Sequence, residues 1–269
     1  MSFVTFLKQN LAYIKLGVSS KLQYRTNFIA GIVILPLVSF GIESLFWLGI
    51  FKTSGQATIG GFSSMQYVTY LLWLMLQIGT ANLHLERTMI MEINNGSVNA
   101  FLLRPTSFFQ YHFGQLIGYK LVAVISMVPV MLLLAWWWQL PFHVDRLLPA
   151  LALGLYYLVM IHILNFAVFS TAFFFDHVYS LTVTKNMINW FLVGEILPLD
   201  LLPSPFREWV IALPFSCGVY LPAAYVSGRI TTEAFMKGFI SLAIGGVVFG
   251  LLARFIWMRG LRRYGGTGA

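Results

Sequence analysis

The stretch Leu85–His112 reads LERTMIMEINNGSVNAFLLRPTSFFQYH. It lies between two long apolar runs, Met65–Leu83 and Phe113–Trp138. It carries Glu86, Arg87, Glu92 and Arg104, and the polar group Asn94, Asn95, Gly96, Ser97 and Asn99. In a chain with 10% charged residues, this is the densest polar insertion. Met89, Met91, Ile93, Val98, Phe101, Leu102 and Leu103 keep it from being a solvated linker. A loop this long is rarely filler. The pattern predicts one or two short amphipathic helices at a membrane surface, broken near Asn95-Gly96 and stopped before Pro105. The plainer alternative is an interfacial loop with no partner.

The flanking runs set the class. Hydrophobic residues make up 58% of the 269, and the mean hydropathy is +0.78. Soluble domains carry roughly a quarter charged residues. The chain therefore reads as an all-α integral membrane protein. A crossing helix needs roughly 20 apolar residues, which leaves room for about six spans and no second soluble domain. The net charge is +8. In a soluble protein that would raise nucleic acid as a partner. Here the basic residues sit at span ends, where orientation and anionic lipid headgroups account for them. Cys217 is the single cysteine, so no disulfide within the chain and no cysteine metal site is expected. The N-terminus does not read as a signal peptide, because Lys8, Gln9, Asn10 and Lys15 interrupt any apolar core.

Residues 1–26 repeat Phe3, Leu7, Leu11, Ile14, Val18 and Leu22 at steps of three and four. With Lys8, Lys15, Lys21 and Arg25, this predicts an amphipathic helix lying in the inner headgroup layer. Spans are then expected at 27–51, 65–83, 113–138, 147–175, 187–199 and 231–257. Trp136, Trp137 and Trp138 mark the end of the third. Asp176–Asn186 reads as a polar loop, and residues 85–112 as the long loop between spans two and three. Residues 200–228 interleave Pro203, Pro205, Pro214 and Pro222 with Leu201, Phe206, Trp209, Phe215 and Tyr220. That is too apolar for a solvated loop and too broken for a span, so short re-entrant outer helices are expected.

Lys and Arg set the orientation. With the N-terminus in the cytosol, Lys8, Lys15, Lys21, Arg25, Arg87, Arg104, Lys120, Lys185, Arg254, Arg259, Arg262 and Arg263 face inward, which is 12 of 17. Lys52, Arg146, Arg207, Arg229 and Lys237 face out. Both termini and the 85–112 stretch are then cytosolic.

Catalytic motifs do not emerge. No P-loop pattern, H-E-x-x-H or G-x-S-x-G occurs, and His84, His112, His143, His162 and His177 show no ligand spacing. Neither a catalytic nor a metal site is expected. Polar groups within spans are costly, so Glu43, His162, Asn165, Glu195 and Asp200 are candidates for a translocation path. Pro203, Pro214 and Phe215 stand in the expected re-entrant segment. The alternative is that Glu43 and Glu195 reach interfacial water or a basic neighbour such as Arg207 or Arg229. Gly246-Val-Val-Phe-Gly250 is a small-xxx-small pattern and a candidate dimer face.

Together these features resemble the permease subunit of type-2 ATP-binding-cassette (ABC) transporters, in particular a bacterial subgroup with a separate ATPase. The local resemblance lies in Glu92-Ile-Asn-Asn-Gly96 with Leu102-Leu103-Arg104-Pro105, and in Leu197-Pro198-Leu199, Pro203 and Leu213-Pro214-Phe215. It implies six transmembrane helices in one permease domain over 1–269. It implies a coupling helix at about Arg87–Asn99 that seats in a cytosolic ATPase. Arg87, Glu92, Asn94, Asn95, Gly96 and Arg104 are the coupling candidates, and the resemblance implies an outer lid over Leu197–Tyr220, with Pro203, Pro214 and Phe215 as the gate candidates. The partners implied are that ATPase, a second copy or a related permease, and membrane lipid. ATP and Mg belong to the ATPase, with no cofactor on this chain. The implied place is the bacterial inner membrane, and the implied cargo is an amphipathic, lipid-like or drug-like compound. A charge reversal at Glu92 is expected to uncouple hydrolysis from transport while leaving the fold intact. An ATP-independent transporter or channel, the alternative, predicts charges through the spans and internal repeats. Neither is clear in the sequence.

Overall fold

The computed structural model describes residues 3–23, 25–78, 83–103 and 106–265. Helix α1 covers Phe3–Gln23 and α2 covers Arg25–Phe28. A π-helical turn, Ile29–Ile34, leads into α3, Leu35–Ser54. In that wide turn the Leu35 amide donates to Ala30. It sits just before Pro36, whose ring lacks an N–H and crowds the carbonyl four residues back. Gly55 ends α3 at φ +64°. A two-residue hairpin follows, Thr58–Ile59 on Phe62–Ser63, turned by Gly60 and Gly61 at φ +59° and +80°.

Next come α4, Ser64–Ile78; α5, Leu83–Asn94; and α6, Asn99–Leu102. Helix α7 covers Phe108–Trp137 and α8 Leu147–Ser170. Then follow α9, Val178–Leu192; α10, Phe206–Ala212; α11, Tyr220–Val226; and α12, Thr232–Arg263. Among the described residues, four helices are long and apolar enough to cross a membrane: Thr26–Ser54, Phe108–Trp137, Val144–Phe173 and Thr232–Arg263. Helices α4 and α9 have 15 residues each.

Helix α4 is the axis of the bundle. Tyr67 to Leu76 are buried without a break. A helix apolar on every side belongs at the centre, with others around it. Trp47 of α3 stacks on Tyr67 with centroids 4.3 Å apart. A second apolar cluster forms at the other end of the bundle. There Met89, Ile90, Ile93 and Val98 pack with Phe108, Phe166, Phe169 and Val178.

The N-terminal helix does more than lie flat. Its second half packs on the first turns of α7 through glycines. A Cβ at Gly17 would come within 2.4 Å of the Gln115 carbonyl oxygen, and one at Gly118 within 2.3 Å of the Ile14 oxygen. Gly114 meets Tyr13 in the same way. Gly114-x-x-x-Gly118 is thus the close crossing inside the chain. Gly246 and Gly250, the expected pair, have nothing within 4 Å. The apolar stripe of α1, with Leu7, Leu11 and Leu22, stays exposed.

Two boundaries are corrected. Helix α7 starts at Phe108 rather than Phe113, capped by Ser107, whose hydroxyl accepts the Gln110 amide. The fifth segment is Val178–Leu192, not 187–199, so most of the expected loop at 176–186 is helical. Lys185 and Asn186 made that stretch look solvated, but inside the fold both have partners. The proline-rich segment does break into short helices, with 3-10 turns at Leu199–Leu201 and Pro214–Cys217. All seven residues of α11 are buried. Its last carbonyls are met by the His143 amide on Val226 at 2.9 Å and by Arg146 on Tyr225 at 3.0 Å.

Candidate functional site

The α5–α6 corner is amphipathic by construction. Met89, Ile90, Ile93 and Val98 anchor it inward. Gly96 turns it at φ +79°, with the Val98 amide on the Glu92 carbonyl at 2.9 Å. Arg87, Met91, Asn94, Asn95, Ser97, Leu102 and Leu103 are left exposed. Arg104 lies outside the described residues. Glu92 does not face out with them. Its Oε2 is 2.7 Å from Nε2 of His112, which is buried among Phe101, Phe108 and Tyr111. Reversing the charge at Glu92 therefore disturbs the packing at His112 as well as the surface. Asn94 Nδ2 donates to the Asp176 carbonyl at 3.4 Å and Asn95 Oδ1 accepts the Ser97 amide at 3.0 Å, so the exposed side chains of Met91 and Ser97 are the cleaner probes of the tip.

Behind this corner lies a cavity of about 410 Å³, walled by α4, α5, α7, α8 and α9. Much of the wall is apolar, with Trp73, Leu116, Leu151, Leu155 and Trp190. Its polar groups are Glu86, Lys120, Tyr157, His162, Asn165, Lys185, Asn186, Asn189 and Glu195. Glu86 on α5 is the hub. One carboxylate oxygen accepts from Lys185 at 3.0 Å, and the other from Asn186 at 2.8 Å. Lys185 also donates to Asn165 on α8. One acid thus ties α5 to two cavity-lining helices. The Glu86 and Lys185 side chains are 14% and 12% exposed. Deeper in, the Tyr157 hydroxyl donates to Asn189 at 2.9 Å.

Three expected path residues, His162, Asn165 and Glu195, do line this cavity. His162 is buried between the Phe109 and Phe113 rings, with Nε2 3.4 Å from the Phe109 oxygen. Glu43 is half-buried on α3 and does not line the cavity. Pro214 packs on α12 against Gly245, Phe215 packs on Phe249, and Pro203 is exposed. None of these three lines the cavity either. The sequence reading missed Glu86, Lys185, Asn186 and Asn189 as cavity residues. Thr182, Asn186 and Asn189 at steps of four and three were the available signal, since they share one helix face.

At the opposite end, Asp200 sits 3.8 Å from Arg229, whose guanidinium lies over the Phe62 ring. Asp200 Oδ2 and Arg229 Nε are buried without a hydrogen bond. Burial pushes the Asp200 carboxyl up, against the pull of the Tyr220 hydroxyl and Arg229. Among the described residues, no cluster of His, Cys, Asp or Glu is placed to hold a metal ion.

The family model described as "ABC-2 family transporter protein" matches residues 37–268. The chain belongs to this family. No curated protein and no solved structure matches it. An ABC-2 chain is the membrane transport component of an ABC transporter and not itself its catalyst. The match takes in the α5–α6 corner, the cavity and the short outer helices, all on a multi-pass helical frame.

Proposed function

We propose that this chain is the permease subunit of an ABC exporter in a bacterial cytoplasmic membrane. It pairs with a second copy or a related permease, and a separate cytosolic ATPase powers it. Six segments cross the bilayer: residues 26–54, α4, α7, α8, α9 and α12. Both termini and the α5–α6 corner lie in the cytosol, which agrees with the inward excess of Lys and Arg. Helix α1 lies at the inner surface with its exposed leucines toward lipid.

The observation that carries this reading is the build of the α5–α6 corner. Its exposed tip stands on four buried apolar anchors, and Glu86 on the same helix holds the cavity wall. A push on the tip therefore reaches Lys185, Asn186 and Asn165 through short contacts. The cavity, whose wall is largely apolar with several polar groups set into it, suits an amphipathic cargo. ATP and Mg stay on the ATPase.

The test is co-purification from the native membrane in mild detergent. The wild-type chain is expected to bring a P-loop ATPase in stoichiometric amount. The double variant Met91→Arg with Ser97→Arg is expected to fold equally well and lose it, because both side chains are exposed. A wild-type chain recovered intact and alone in several detergents overturns the reading in favour of ATP-independent transport.

A further inference from the structure

A second hollow, about 430 Å³, opens between α12, α8 and the junction of α6 with α7. Its walls are the rings of Phe101, Phe108, Phe166 and Trp257. On α12 it is lined by Gly250, where an added Cβ would meet nothing within 4 Å. Arg254, one turn further on, lines the same groove and is exposed. Among the described residues Arg254 makes no ion pair. The end of α12 beyond it carries Arg259, Arg262 and Arg263.

A cation on the lipid-facing side of a span is costly unless it meets an anion. Basic pockets between membrane helices meet that need with anionic headgroups. We propose that this groove holds one anionic phospholipid, with its phosphate at Arg254 and an acyl chain along the aromatic wall over Gly250. A second copy of α12 is a poorer cover. In a two-fold crossing centred on Gly250, the same surface meets itself. Both Arg254 side chains would then enter one contact as like charges. The bound lipid braces Phe101, and through it α6. That consequence rests on the coupling role given above, whereas the lipid site itself does not.

Native mass spectrometry tests this on the full chain in mild detergent, with phosphatidylglycerol and phosphatidylcholine of the same acyl chains. The wild type is expected to bind one phosphatidylglycerol about fivefold more tightly than phosphatidylcholine, the share of a single arginine. Arg254→Gln removes the preference and keeps residual binding of both lipids. Gly250→Trp removes both, with an unchanged melting temperature because the space it fills is empty of protein. Equal wild-type affinity for the two lipids overturns the proposal. Phosphatidylglycerol binding that survives intact in both variants does so too. So does a Gly250→Trp variant that turns a dimer into a monomer without altering lipid binding, since the face then belongs to a second copy. No ATPase is needed, so the result stands apart from the transporter reading.

Discussion

The two ends of the molecule handle buried charge differently. At the α5 end, Glu86 meets Lys185 and Asn186 at 3.0 and 2.8 Å, and both of its oxygens are used. At the other end, Asp200 and Arg229 stand 3.8 Å apart, and each keeps a buried atom unbonded. A saturated pair moves as one piece. A loose pair tolerates a change of distance. The saturated cluster is therefore suited to transmit displacement, and the loose one to absorb it.

The sharpest way to break that contrast is Glu86→Leu. It strands Lys185 in a low-dielectric site, and a loss of about 3–5 kcal/mol is expected. Thermal unfolding in detergent reads it. Replacing Lys185 with Leu as well should recover most of that stability, because two apolar groups leave no charge unpaired. A double variant no better than the single would mean that the cluster does not act as a pair.

A smaller effect is expected where α1 docks at the same end. Gly118→Leu forces backbone apart and should cost about 1–3 kcal/mol. Hydrogen exchange in α1 would rise. Gly246→Leu, in open space, should leave both unchanged.

At the loose end the effect is smaller again and depends on pH. Burial raises the Asp200 carboxyl. The folded chain then keeps its proton at pH values where the unfolded chain has lost it. Its contribution is complete below the ordinary carboxylate range and falls as pH rises through the raised value. Asp200→Asn should flatten that slope in melting temperature against pH. The smallest effect belongs to Arg207→Gln. Its partner Glu208 is solvent-exposed, so the melting temperature should not move.

Much of this contrast was hidden in the sequence. Apolar length alone located the four long helices, and two of them, Thr26–Ser54 and Val144–Phe173, to within three residues at each end, because burial in lipid needs only a run of such side chains. It misplaced α9. Lys185 and Asn186 look like loop residues until Glu86, 99 and 100 positions away, is seen to satisfy them. Glu92 was read as a surface contact, yet His112 draws it inward, and periodicity carries no sign of such a partner. The glycine patterns show the same limit. Gly114-x-x-x-Gly118 and Gly246-x-x-x-Gly250 have the same spacing, and only packing shows which one α1 crosses.

The most direct test of the account follows a cysteine at Asn189, on the cavity wall, in a Cys217→Ala background. The chain is reconstituted with its ATPase, and labelling by a water-soluble maleimide is timed with and without ATP. With Glu86 in place, ATP should change the labelling rate. With Glu86→Gln, ATP should be hydrolysed while the labelling rate stays the same. An ATP-dependent change of equal size in both chains would contradict the claim that Glu86 links the α5–α6 corner to the cavity.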